Sequence, residues 1–525
     1  MPKVLISDKL SPAAADIFRE RGVEVDFKPG LAKEELAAII AEYDGLAIRS
    51  ATKVTAKLLD AATNLKVVGR AGIGVDNVDV RAATAQGVVV MNTPFGNSIT
   101  TAEHAIAMMF ALARQIPEAD ASTRASKWEK SRFMGVELFG KTLGLIGCGN
   151  IGSIVADRAV GLKMRVAAYD PFLSPERAIE LGVRKVELDE LLAQADIITL
   201  HTPLTEQTRN ILSREALAKT KKGVRIINCA RGGLIDEAAL YDALVDGHVA
   251  GAALDVFAEE PAKDNPLFTA PNIVCTPHLG ASTAEAQENV ALQVAQQMAD
   301  YLIDGAVTNA LNMASVSAEE APKLRPYLTL ADQIGGFAGQ ITESGITAVN
   351  IEYAGEVSQL NVKPLTAAIL TGLLRPFVQT VNGVSAPIIA RDRDIDVSET
   401  LREKTSDYHT LVRLTVTTER RTRTVAGTLF GTGKPRLTEV EGVPLEAEVA
   451  EHMLFVRNDD KPGLIGNLGS ALGNAGVNIA TFHLGRKEQG RDAIALVAMD
   501  QAPSAELVAE VCALPSVQGA NALVF

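Results

Sequence analysis

Arg231, Glu260 and His278 have the side-chain types needed to work on a small hydroxy acid. Arg231 stands in Asn228-Cys229-Ala230-Arg231-Gly232-Gly233, directly after the apolar run Val224–Asn228. A guanidinium there grips a carboxylate through two parallel hydrogen bonds and polarises an adjacent carbonyl. His278, in Pro277-His278-Leu279-Gly280-Ala281-Ser282, is a proton donor and acceptor near neutral pH. Glu260, in Ala258-Glu259-Glu260-Pro261, lies 18 residues earlier, and a carboxylate beside an imidazole orients it and holds its proton. Taken singly, each has a plainer reading: a turn arginine, a structural histidine, a solvated loop acid. All three, however, follow strand-like runs of one parallel sheet, and ligands bind at the carboxyl ends of such strands. Together they suit hydride transfer at a 2-hydroxy acid. Hydride leaves C2, His278 removes the hydroxyl proton, and Arg231 holds the carboxylate.

A hydride needs an acceptor, and the sequence offers a site for one. The apolar run Thr142–Ile146 is followed at once by Gly147-Cys148-Gly149-Asn150-Ile151-Gly152 and a helical pattern, and the next strand, Arg165–Tyr169, ends in Asp170. A glycine triplet alone marks many ordinary turns. In this strand–turn–helix context it is a dinucleotide fingerprint. Gly147 permits the tight turn, and Gly149 lets the backbone approach a pyrophosphate held at the helix N-terminus. Asp170, 18 residues beyond Gly152, would bind the two ribose hydroxyls and repel a 2′-phosphate, which favours NAD over NADP.

On Arg231, Glu260 and His278 the chain resembles the D-2-hydroxyacid dehydrogenase family, whose catalytic Arg, Glu and His match these positions. The resemblance narrows to the long-form, phosphoglycerate-oxidising branch of that family. It is carried by Ile48-Arg49-Ser50-Ala51-Thr52-Lys53-Val54-Thr55, by Val68-Gly69-Arg70-Ala71-Gly72-Ile73-Gly74-Val75-Asp76-Asn77-Val78-Asp79, by Asn228 to Gly233 and by His278 to Thr283. It covers essentially the whole chain. It implies NAD-linked oxidation of 3-phosphoglycerate, the entry step of serine biosynthesis. It also implies cofactor contacts at Asn150, Ile151, Asp170, Thr202, Cys229, Ala230, Asp255, Gly280 and Ala281. The phosphate preference comes from the resemblance, although Arg49, Ser50, Arg70, Gly72 and Gly74 suit an anion; without it, Arg49 and Arg70 read as surface ion-pair residues. The last 75 residues resemble an ACT domain, a small amino-acid-binding regulatory module. Asp460 and Asn478 match its effector positions, and L-serine is the implied ligand. Asn458 belongs to the same group, at a position where some long-form relatives carry an aromatic residue.

The elements that must position these residues follow from the pattern of apolar runs. Short strands alternate with helices through the first three hundred residues, which implies parallel α/β sheets. Thr100 and Glu103 have capping-box spacing at the head of a long buried helix that Pro117 ends. The glycine motif sits mid-chain, so we expect a Rossmann-type domain (98–282) inserted into a substrate domain formed by 1–97 and 283–312. An α+β intervening domain (313–450) and a ferredoxin-like βαββαβ unit (451–525) follow. Within the intervening segment, Arg420, Arg421, Arg423, Lys434 and Arg436 form a basic run that reads as the solvated face of a hairpin.

Composition sets the outer limits. The 525 residues are 47% hydrophobic and 22% charged, which suits several packed domains and excludes a disordered or fibrous chain. Lys and Arg number 51 against 64 Asp and Glu, a net charge of −13, and aromatics are only 4%. That balance argues against nucleic acid as a partner. The four cysteines are far apart, so neither a metal site nor a disulfide framework is expected. With no signal peptide and no long apolar run, the expectation is a cytoplasmic homo-oligomer, a dimer or tetramer, without membrane contact. Two alternatives stand beside the main reading. One is a different D-2-hydroxyacid dehydrogenase, such as a glyoxylate or hydroxypyruvate reductase, against which Arg49, Arg70 and the ACT-like tail speak. The other is a non-enzymatic NADH-sensing regulator on the same fold, like the CtBP corepressors, against which the acidic balance and the lack of a basic tract speak.

Overall fold

The computed structural model describes residues 1–404, 407–431 and 433–525. Its first sheet holds strands β1 (Lys3–Ile6), β2 (Glu24–Phe27), β3 (Gly45–Ile48), β4 (Val67–Arg70) and β5 (Val89–Asn92), all parallel, in the order β2-β1-β3-β4-β5. The second holds β6 (Thr142–Ile146), β7 (Arg165–Tyr169), β8 (Arg184–Lys185), β9 (Ile197–Leu200), β10 (Val224–Asn228), β11 (Val249–Leu254) and β12 (Ile273–Cys275). These are also parallel, in the order β12-β11-β10-β9-β6-β7-β8. Parallel strands are covered on both faces and so read as unbroken apolar runs; Val4, Leu5, Ile6, Val89, Val90 and Met91 are all fully buried. Strand order reverses between β1 and β3 in the first sheet and between β6 and β9 in the second. A crevice opens at each reversal, beyond the strand carboxyl ends.

The chain crosses between the two sheets twice. The helix Ser98–Arg114 leaves the first sheet and packs on the second, where Ala105, Met109 and Leu112 share a core with Leu143, Leu145, Ile227 and Ala253. The helix Ala284–Asp304 comes back: Val290, Val294 and Met298 pack with Val4, Val67 and Met91. Asn312 then ties the returning chain to β5 and its approach, accepting from the Val90 amide (2.9 Å) and donating to the Val88 carbonyl (2.9 Å). The first crossing helix departs from its expected signals. It starts at Ser98 behind Asn97, and no side chain caps it. Thr100 therefore lies inside the first turn, where its hydroxyl is 3.4 Å from that of Thr283 on the second crossing. Pro117 does not stop the helix either. Gln115, at φ +50°, breaks it, and Pro117 opens the next helix, Ile116–Arg124.

Beyond residue 312, the helices Ala321–Gln340 and Lys363–Leu374 cover a third sheet. It contains β13 (Ile346–Gly355), β14 (Asp396–Arg402), β15 (Thr410–Thr418), β16 (Thr422–Phe430), β17 (Lys434–Val440) and β18 (Val443–Ala447). Its order is β14-β13-β15-β16-β17-β18; β13 and β14 are parallel and the other pairs antiparallel. Arg420, Arg421 and Lys434 are exposed as a hairpin face would be, but Arg423 is buried, with Nε 2.9 Å from Glu441. The period-2 alternation turns it to the covered side of β16, where a buried guanidinium needs a carboxylate.

The last sheet, β19 (His452–Asp459), β20 (Ile479–Arg486), β21 (Asp492–Met499) and β22 (Val517–Val524), is antiparallel in the order β20-β21-β19-β22. With helices Leu464–Asn474 and Ala505–Cys512 it forms the βαββαβ unit. Its second face lies on the intervening helix. Phe337 contacts Phe455 edge-on at 5.4 Å and stacks on Phe525 at 6.5 Å, and Gln340 holds the Val524 amide and carbonyl at 2.8 and 2.9 Å.

Candidate active site

The second sheet carries the glycine loop at its strand-order reversal. A methyl group on Gly147 would strike the His201 carbonyl and Thr202, and one on Gly152 would overlap the Gly147 carbonyl. This β6 turn is therefore folded against both the end of β9 and its own helix, a packing only glycine admits. Gly149 is different, because nothing stands within 4 Å of the methyl position there. It faces open space at the head of the helix Asn150–Gly161, which has no side-chain cap, and Asn150 is exposed while Ile151 is half-buried. The Thr202 hydroxyl on the facing loop is buried without a partner. Open space, uncapped amides and an orphaned hydroxyl fit a dinucleotide. Asp170 closes the turn, accepting from the Cys148 amide (2.8 Å) and the Phe172 amide (2.8 Å). Cys229 and Ala230 line the end of β10 and are buried, and burial pushes the Cys229 thiol up, so it stays neutral.

His278 and Glu260 come together. Nδ1 of His278 is 2.7 Å from Oε2 of Glu260, and the other carboxylate oxygen accepts from the Phe257 amide at 3.1 Å. Burial drives the Glu260 carboxyl upward, but the bonds from His278 and Phe257 outweigh it, and the group rests below its usual range. With Nδ1 engaged, Nε2 is the free edge of the ring. Phe257, Phe268 and Cys275 floor a cavity of about 510 Å³ that opens on the same pair.

Asp255 builds the loop that holds this histidine. It is fully buried and accepts from the Thr276 hydroxyl (2.6 Å), the Leu279 amide (2.7 Å) and the Gly280 amide (2.8 Å). Its own carbonyl accepts from the His278 amide (2.9 Å), and His104 Nε2 lies 3.3 Å from its carboxylate. The carboxylate is thus consumed inside the loop, and Gly280 and Ala281 stand at the loop's far end. His278 itself sits at φ +56°, a region that non-glycine residues enter only when their surroundings hold them there.

Arg231 follows β10 in a turn held by Asn228, whose side chain accepts from the Ala230 amide (3.0 Å) and donates to the Arg231 carbonyl (2.9 Å). Its guanidinium reaches the first sheet. Nε donates to Asp76 at 2.9 Å, and a methyl group on Gly74 would overlap Nη2. Gly72 is in equal contact with Arg70. Arg70 is in a positive setting: burial, Arg231 and Arg49 bring its guanidinium down to about 10 against the opposing pull of Asp76 and Asp8. Its buried Nε has no partner. An anion is what this unpartnered Arg70 nitrogen, with two further arginines nearby, lacks.

The loop bearing Arg49 and exposed Ser50 hangs from Asp8, at the reversal of the first sheet. Buried Asp8 accepts from the amides of Arg49 (2.7 Å), Ala51 (3.2 Å) and Thr52 (3.1 Å) and from the Thr52 hydroxyl (2.6 Å). Sequence reasoning passed over Asp8 and Asp76. The only local signal for Asp8 is a charge directly after an apolar strand.

In the C-terminal unit, Asp460 is already engaged, by Arg486 (3.0 Å) and the Gly490 amide (2.9 Å). The Asn478 amide donates to Asp500 at 2.6 Å. Asn458 is buried; its amide donates to the Asp459 carbonyl and its own oxygen has no partner. No hydrogen bond joins these three side chains among the described residues.

A nucleotide sheet joined by two crossings to a second parallel sheet, with a carboxylate-backed histidine on the loop after β12, places the protein among the NAD-dependent D-2-hydroxyacid dehydrogenases. Residues 106–280 match the D-isomer specific 2-hydroxyacid dehydrogenase NAD binding domain, 323–441 the D-3-phosphoglycerate dehydrogenase intervening domain, and 452–516 the ACT domain. The D-3-phosphoglycerate dehydrogenase of Synechocystis sp. is 44% identical over 522 residues, 99% of this chain and 94% of that one. That of Bacillus subtilis is 43% identical over 520 residues, 98% of each chain. A solved protein from Thermus thermophilus superposes with a TM-score of 0.55 at 37% identity, covering 59% of this chain and 99% of that one. The chain belongs to the D-3-phosphoglycerate dehydrogenase family.

Proposed function

We propose that this protein oxidises 3-phospho-D-glycerate to 3-phosphohydroxypyruvate with NAD, the first step of L-serine biosynthesis. The observation that carries the substrate class is the cluster of Arg49, Arg70 and Arg231, in which a buried Arg70 nitrogen has no partner. A substrate with a carboxylate at one end and a phosphate at the other supplies the missing negative charge. In this reading Arg231 holds the carboxylate and polarises the C2 oxygen, while Arg49, Ser50 and Arg70, beside Gly72 and Gly74, take the phosphate. His278 takes the hydroxyl proton on Nε2, and Glu260 stabilises the imidazolium that forms. NAD, when bound, supplies the hydride acceptor. Gly147, Gly149, Asn150, Ile151, Gly152, Asp170, Thr202, Cys229, Ala230, Gly280 and Ala281 would surround it, with Asp255 holding the loop beneath.

NADH formation measured with 3-phosphoglycerate, D-glycerate and D-lactate tests the assignment. Preference for 3-phosphoglycerate by orders of magnitude in kcat/KM is expected, and equal or better turnover of glycerate or lactate would overturn it.

We infer further that the C-terminal unit responds to L-serine, a reading supported by the ACT match and by Asp460 and Asn478 at the effector positions. The residues Ile116, Trp128, Met134 and Phe139 are 52, 86, 83 and 72% exposed, and such an apolar surface supports a homo-oligomer. We take the working units to be 1–97 with 283–312, 98–282, 313–450 and 451–525, a division supported by the two crossings between the parallel sheets. The four cysteines are free, which suits a reducing cytoplasm. Among the described residues no helix is long and apolar enough to cross a membrane.

A further inference from the structure

Asp76 and Arg231 stand 155 residues apart, one on the loop after β4 of the first sheet and the other on the turn after β10 of the second. Their ion pair therefore bridges the cleft between the two sheets. Asp76 is 70% exposed and holds no core together, whereas Arg231 is 27% exposed. The pairing is geometrically specific. Asp76 Oδ2 accepts from Nε at 2.9 Å, and the Ala230 carbonyl accepts from Nη1 at 2.7 Å. Nη2 lies against Gly74, two residues from Asp76, where any side chain would displace it. One donor on the Nε side and one on Nη1 are thus fixed by the protein, and the remaining Nη donors are left to meet a carboxylate. A guanidinium has a planar set of five N–H donors, so fixing two of them fixes the direction of the others.

The pair also bears on charge. Arg231 repels Arg70 across the cleft, Arg49 adds to that from the first sheet, and Asp76 is the first-sheet carboxylate that counters both Arg70 and Arg231. An aspartate at this point lowers the cost of bringing the second-sheet arginine up to the first-sheet anion site.

We propose that Asp76 is a positioning residue for Arg231: it selects which edge of the guanidinium grips the substrate carboxylate, and it links that orientation to the seating of the first sheet against the second. The proposal rests on the reading of Arg231 as the carboxylate-binding residue and adds to it a residue that touches neither substrate nor cofactor.

Asp76→Ala, Asp76→Asn and Arg231→Lys, alone and with Asp76→Ala added to Arg231→Lys, test it in the full-length enzyme. Two readouts are needed: steady-state kcat and KM, and the affinity of 3-phosphoglycerate for the enzyme–NADH complex followed by NADH fluorescence. Asp76→Ala should weaken 3-phosphoglycerate about ten- to hundred-fold, the size of a charge-assisted hydrogen bond, and lower kcat. NADH affinity and melting temperature should stay at wild-type values. Asp76→Asn keeps an acceptor oxygen and should recover most of the loss. In the Arg231→Lys background, where Nε and its fork are gone, Asp76→Ala should have little further effect. Wild-type substrate affinity in Asp76→Ala would overturn the proposal. So would an undiminished loss in the Arg231→Lys background, or a parallel loss of NADH affinity. If wild type itself prefers lactate or glycerate, the substrate assignment fails separately, and the same comparison is made with the acid that is turned over.

Discussion

His278 and Glu260 meet at 2.7 Å through Nδ1 and Oε2, at the end of a loop whose histidine backbone is left-handed. The carboxylate fixes the ring by one nitrogen and frees the other. The Asp255 carbonyl and carboxylate hold the loop from beneath, so the imidazole is aimed by two acids with different tasks. One faces the ring, and the other faces only backbone amides, a hydroxyl and His104.

The first prediction concerns proton transfer. His278→Ala should lower kcat by about two to four orders of magnitude, the usual range for a general acid or base, with NADH affinity near normal. Glu260→Gln removes the carboxylate that holds the Nδ1 edge of the ring, so kcat should fall as well, again with NADH affinity near normal. Turnover by His278→Ala within a factor of a few of wild type would remove His278 from that role.

A second concerns the nucleotide. Asp170 carries two turn amides, and Asp170→Ala both frees them and deletes the proposed ribose acceptor. KM for NAD should rise about ten-fold or more, and the ratio of kcat/KM for NAD over NADP should fall toward one. Unaltered discrimination in steady-state kinetics would place the ribose elsewhere.

Acid stability is the third. Burial drives the Asp255 carboxyl up, but His104, the Thr276 hydroxyl and the Leu279 amide pull it further down, and it ends below its unfolded value. The sign follows: the group binds its proton more readily unfolded, so its stabilisation is complete at neutral pH and is lost as pH falls through and below the carboxylate range. Asp255→Asn leaves at least one loop amide facing an amide group, at a cost of about 2–4 kcal/mol. Its melting temperature should drop at pH 7, and the gap from wild type should narrow as pH falls toward 3. A constant gap across that range would show that the charge is not what stabilises the loop.

The fourth is regulatory. Serine should inhibit without competing with 3-phosphoglycerate, because the ACT unit lies far along the chain from His278. Asp460 already binds Arg486 and the Gly490 amide, so an effector ammonium must share this carboxylate or displace Arg486. Asp460→Ala should weaken inhibition about ten-fold or more while leaving the serine-free rate near wild type. Superimposable serine titrations, with clear inhibition in both, would move the site away from Asp460.

Much of this was legible in the residues themselves. The apolar runs at Val224–Asn228 and Val249–Leu254 are the strands β10 and β11, because a parallel strand buried on both faces needs no partner in sequence to announce it. The tight glycine turn beside Asp170 and the pairing of His278 with Glu260 were legible for a related reason: turn chemistry and strand ends are local. The capping box at Thr100 failed because the helix already begins at Ser98, which puts Thr100 inside its first turn. Arg423 was misread because a hairpin alone does not say which face another layer will cover. The bonding partners of Asp8, Asp76 and Asp255 had no local signal. Each acid acts on residues 21 to 155 positions away, and only the packing of the sheets brings those partners within 3.2 Å. Periodicity and spacing determine which elements form and which reactive side chains end them. The direction in which those side chains are held is decided by long-range carboxylates, whose partners exist only once the chain has folded.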